Sequence, residues 1–91
     1  MLAYSMANPP NILLVDDDDE LRSFVRDILA QNGYEVTEAS DYDTAVAQLQ
    51  RRVFDLILLD ITLPGKSGLD LLEFVRRSHL GCPVIMVTGT A

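Results

Sequence analysis

Four positions carry groups suited to metal or phosphoryl chemistry, and each follows an apolar run. Asp16 and Asp17 follow NILLV, Asp60 follows LILL, and Thr88 follows PVIMV. Three carboxylates brought together repel one another, so at close range one takes a proton or a cation stands between them. Carboxylate oxygens suit Mg²⁺, an ion that keeps several waters and favours phosphate chemistry. A carboxylate beside that ion can attack phosphorus to form an acyl phosphate, its charge neutralised by the metal. The hydroxyl of Thr88 would then donate to a phosphoryl oxygen.

Such a meeting requires strands that end on one rim. Residues 11–15 and 56–59 are continuous apolar runs, as expected of strands buried on both faces of a parallel sheet. Leu21, Phe24, Val25, Ile28 and Leu29 recur at helical spacing and form a stripe that Asn32-Gly33 closes. Residues 34–39 alternate apolar and polar, which predicts a less covered strand at an edge. Ser40 with Asp43 resembles a capping box, opening a helix with Tyr42, Ala45, Val46 and Leu49 that runs to about Arg52. Turn residues fill 63–68, residues 69–78 carry a third helical stripe, and residues 83–87 form a fourth strand.

The order is β-α-β-α-β-α-β. Right-handed crossovers put helices on both faces, giving an α/β, doubly wound parallel sheet. Ligands of such sheets bind beyond the carboxyl ends of the strands. Asp16, Asp17, Asp60 and Thr88 all fall there, whereas the second strand contributes only Ala39 and Ser40.

Composition narrows the function classes. The 91 residues suffice for one domain, expected over residues 11–91 behind a flexible tail at 1–10. A net charge of −7 disfavours direct nucleic-acid binding, and no apolar stretch approaches a membrane span. A single cysteine, Cys82, fits a reducing cytoplasm, and its place before an apolar run suits a small buried hydrophobe. Asp18 to Glu20 suit the positive end of the first helix, while His79 and the pairs Arg51-Arg52 and Arg76-Arg77 read as solvated surface. Met86 and the apolar stripes read as core.

Together, ILLVDDD at 12–18, LILLD at 56–60, LPGKSG at 63–68 and PVIMVTG at 83–89 resemble response-regulator receiver domains. The resemblance covers essentially the whole chain after the tail. It implies a flavodoxin-like strand order 2-1-3-4, with Asp60 as phosphoacceptor and Mg²⁺ held by Asp16, Asp17, Asp60 and the backbone carbonyl of Thr62. It further implies that Thr88 is the switch hydroxyl, that Gly89 leaves the acceptor open, and that Pro64 and Gly68 shape the loop. The implied role is a signalling phosphoacceptor rather than an enzyme, and the implied partner is a histidine kinase or phosphotransfer protein.

Members of that family continue through another helix, a fifth strand preceded by a lysine, and final helical structure, all lacking from this sequence. Lys66, the only lysine, lies in the loop after the third strand and does not substitute for it. Self-association through the exposed fourth strand or the uncovered sheet face is therefore expected. An alternative function is a non-phosphorylated, receiver-like self-association module. A Mg²⁺-dependent phosphatase would want a second acid two residues after Asp60, where Thr62 stands.

Overall fold

A computed structural model of the chain describes residues 8–78 and 81–87. Its elements run β1 (Asn11–Val15), α1 (Asp19–Gln31), β2 (Glu35–Ala39), α2 (Tyr42–Arg51), β3 (Leu56–Asp60), α3 (Gly68–Arg77) and β4 (Val84–Val87). The strands form one parallel sheet in the order β2-β1-β3-β4, as expected.

Alternation along the strands divides the apolar side chains between two faces. Leu13, Val15, Ala39, Ile57 and Leu59 point to one side, where Ala45 and Leu49 of α2 and Leu71 and Val75 of α3 close over them. Phe54 and Leu63, from the loops before and after β3, complete this core. On the other face, Leu14, Leu58 and Val87 share a groove of about 160 Å³ with Leu21 and Val25 of α1. Helices thus lie on both sides of the sheet.

The two faces are not equally covered. Cys82 and Met86 are partly buried against the α2/α3 core, whereas no residue of α1 is buried. Leu21, Phe24 and Ile28 are 45%, 63% and 44% exposed, and Ile85 and Val87 of β4 are each 51% exposed. The α1 stripe is therefore a flank rather than the core that its periodicity suggests. The described helix spans too little of this face to enclose its own apolar side.

Helix ends follow local chemistry. Asp18 caps α1, its side chain accepting from the Leu21 N–H. The capping box of α2 sits one residue later than expected, on Asp41 and Thr44 rather than Ser40 and Asp43. Asp41 is the extended residue at which the chain turns into the helix, so its carboxylate reaches the Thr44 N–H at 2.8 Å. Ser67 and Asp70 form the equivalent box on α3.

Candidate functional site

Val15 of β1 is in register with Leu59 of β3, so Asp16 and Asp60 emerge side by side from neighbouring strands, with Asp17 next to them. One carboxylate oxygen from each of Asp16, Asp17 and Asp60 lies within 4.8 Å of the others. Asp16 and Asp60 are half-buried and Asp17 is exposed. Asp18, also acidic, is diverted to the cap of α1.

The backbone fixes the two strand ends. The Asp16 N–H donates to the Ala39 carbonyl at 3.1 Å, extending the β1/β2 ladder by one bond. Its Oδ1 accepts the Asp18 N–H at 2.9 Å, and its carbonyl accepts the Arg22 Nη1 at 2.7 Å. Asp60 Oδ1 accepts both the N–H and the hydroxyl of Thr62, at 3.0 and 3.1 Å. The Ile61 N–H donates to the Val87 carbonyl at 3.2 Å, tying the loop after Asp60 to β4.

Gly68 lets α3 begin against this loop. A Cβ there would stand 2.6 Å from the Asp60 carbonyl oxygen and 2.8 Å from the Ile61 Cα, closer than side-chain carbons approach backbone. The Gly68 N–H donates to the Ile61 carbonyl at 3.0 Å. Lys66 turns elsewhere, its Nζ lying 4.7 Å above the ring of Tyr42.

The electrostatics suit a cation. Burial lifts the Asp16 carboxyl above its ordinary range, the Asp60 and Asp17 charges lift it further, and the Asp18 N–H partly opposes them. A hard divalent ion would relieve both the repulsion and the loss of hydration. Oxygen-only donors are the set that Mg²⁺ prefers, so the residues fit that ion.

Sequence reasoning selected Asp16, Asp17 and Asp60, and the fold brings these three together. Thr88, Gly89 and His79 lie outside the described residues. Arg22 and the Thr62 hydroxyl were not foreseen: the first sits among polar positions of α1, and the second stood only for its carbonyl. Their spacings, six residues after Asp16 and two after Asp60, are the only local signal.

The sequence pattern of the response regulator receiver domain family matches residues 12–91. The chain belongs to that family. Receiver domains are the signalling modules of two-component systems, and the strand order is their flavodoxin-like one.

The receiver domain is similar to the phosphate regulon transcriptional regulatory protein PhoB of Klebsiella pneumoniae, 46% identical over 80 residues, covering 86% of this chain and 35% of that protein. It thus spans about a third of the length of the curated relatives it matches. A CheY-like receiver domain protein from Methanospirillum hungatei JF-1 superposes with a TM-score of 0.87 at 38% identity, covering 92% of this chain and 67% of that one. The response regulator TrrA of Thermotoga maritima, solved in complex with Mg²⁺-BeF, gives 0.84 at 30% identity, covering 90% and 71%. TrrA has also been solved in complex with the histidine kinase ThkA.

Proposed function

We propose that this receiver domain accepts a phosphoryl group on Asp60 from the phosphohistidine of a histidine kinase or phosphotransfer protein. The observation that carries this reading is the convergence of Asp16, Asp17 and Asp60 within 4.8 Å at the carboxyl rim of the sheet. An Asp60 oxygen attacks phosphorus, an O–P bond forms as the P–N bond breaks, and the imidazole departs with the electron pair. Mg²⁺, when bound, neutralises the phosphoryl oxygens during transfer. Asp16, Asp17, Asp60 and the Thr62 backbone carbonyl are the ligands in this reading, and Thr88 donates its hydroxyl to the phosphoryl group.

The remaining residues orient the nucleophile. Both donors of Thr62 hold Oδ1 of Asp60, which fixes the plane of the carboxylate. Gly68 keeps the backbone behind it close to α3. The TrrA complexes with Mg²⁺-BeF and with ThkA support the same ion and partner class for this chain. Such a partnership belongs in the cytoplasm, and no described helix is long and apolar enough to cross a membrane. The role is a signalling acceptor rather than a turnover enzyme.

Intact-mass measurement after incubation with Mg²⁺ and a small-molecule phosphodonor tests the reading. A single phosphoryl adduct is expected, absent from Asp60→Asn and after chelation with EDTA. A folded chain that gains no adduct would overturn it.

Exposed Ile85, Val87, Phe24 and Ile28 favour a second reading, self-association through β4 and the adjoining face. This reading is compatible with phosphorylation. It becomes the primary function only for a chain that binds no Mg²⁺.

A further inference from the structure

We infer that Arg22 is the positioning residue that holds Asp16 and Asp17 in their metal-binding pose, an inference that rests on the proposed Mg²⁺ site. The peptide unit between these two aspartates carries the Asp16 carbonyl, and Arg22 Nη1 donates to it at 2.7 Å. The preceding ladder bond, from the Asp16 N–H to the Ala39 carbonyl, is the last that β2 makes with this strand end, because β2 ends at Ala39. The Arg22 guanidinium takes over where the ladder stops. Its grip sets the rotation of the peptide plane from which the side chain of Asp17 departs.

The guanidinium is itself fixed from two other sides. Its Nε donates to Glu38 of β2 at 2.9 Å and its Nη2 pairs with Asp19 of α1 at 2.8 Å, with the Arg22 side chain only 14% exposed. Glu38 is also paired with Arg26 at 2.9 Å. A planar fork engaging three oxygens on three segments is a rigid support that a single-point ammonium cannot reproduce. Arg26 shares Glu38 but makes its other bonds to Asp27 rather than to Asp16, which makes it a matched control.

Sign separates positioning from charge. A cation near a Mg²⁺ site repels the ion, so a purely electrostatic Arg22 would weaken binding and its removal would tighten it. A positioning Arg22 does the opposite. Titration of the whole chain with Mg²⁺ alone, followed by the amide resonances of Asp17 and Asp18, reads the dissociation constant directly. Arg22→Met is expected to raise it about tenfold, the scale on which residues supporting metal ligands act. Arg26→Met, with the same loss of charge, is expected to leave it within about twofold or to tighten binding.

Circular dichroism reports whether Arg22→Met folds. Should it fail to fold, Arg22→Lys keeps the charge but loses the fork, and a rise of at least about twofold is expected. An unchanged or lower constant in the folded variant that carries the test overturns the role of Arg22 alone. An unaltered chain that binds no Mg²⁺ overturns the site reading and the role together.

Discussion

Asp16 concentrates the cost of bringing three carboxylates to one rim. Burial and the charges of Asp60 and Asp17 raise its carboxyl, so the folded chain holds that proton more tightly than the unfolded chain does. In the absence of a divalent cation, its contribution to stability is therefore lost as pH rises from its unfolded value through the raised folded one. Asp16→Asn removes the charge and keeps the Oδ1 that accepts the Asp18 N–H. The metal-free variant is expected to be more stable at neutral pH by about 1 kcal/mol, the repulsion of two unit charges ~4 Å apart in water. Urea unfolding measures this, and Mg²⁺ should then no longer raise the midpoint. A variant less stable than the unaltered chain would count against repulsion as the dominant effect.

The elements place these residues through their ends rather than their middles. Gly68 opens α3 where any Cβ would press on the Asp60 carbonyl, so Gly68→Ala must push the helix or the loop aside. A loss of about 1–3 kcal/mol is expected from this crowding. Slower phosphorylation of Asp60 should accompany it, read by intact mass over time. At the start of α2, the N–H and hydroxyl of Thr44 hold the Asp41 carboxyl below its ordinary range. A lowered carboxyl stabilises above its unfolded value and loses that contribution as pH falls through the lowered folded one. Asp41→Ala should therefore be less stable than the unaltered chain at pH 7, and the gap should narrow at pH 3. Thermal unfolding at the two values checks it.

At the scale of the molecule, the two sides of the sheet differ. Leu13, Ile57 and Leu59 of the sheet are at most 1% exposed beneath α2 and α3, whereas Phe24 is 63% and Ile85 51% exposed on the other face. Among the described residues β4 is the edge of the sheet, and apolar surface beside an edge is where the proposed self-association would take place. Phe24→Ser combined with Ile85→Lys is expected to lower the average mass in sedimentation at high concentration. Stability should change by less than about 0.5 kcal/mol, as for exposed positions generally. Equal masses for the variant and the unaltered chain would count against the proposed self-association through this face.

The element order, the parallel sheet and the three aspartates were legible in the sequence because each depends on local pattern. Continuous apolar runs such as LILL mark strands covered on both faces, and a polar residue after such a run marks the rim. Tertiary structure decided which neighbours complete the site. Arg22 meets the Asp16 carbonyl and Glu38 only once α1 lies against β2, and periodicity along α1 carries no information about that contact. The same holds for coverage. Phe24 and Ile28 satisfy the helical stripe as well as any buried residue, yet burial depends on what lies opposite, a property of the packed molecule rather than of the segment. Capping lay between the two cases: Ser40 and Asp41 both offer the right oxygen, and only the extended backbone at Asp41 selected which one starts the helix.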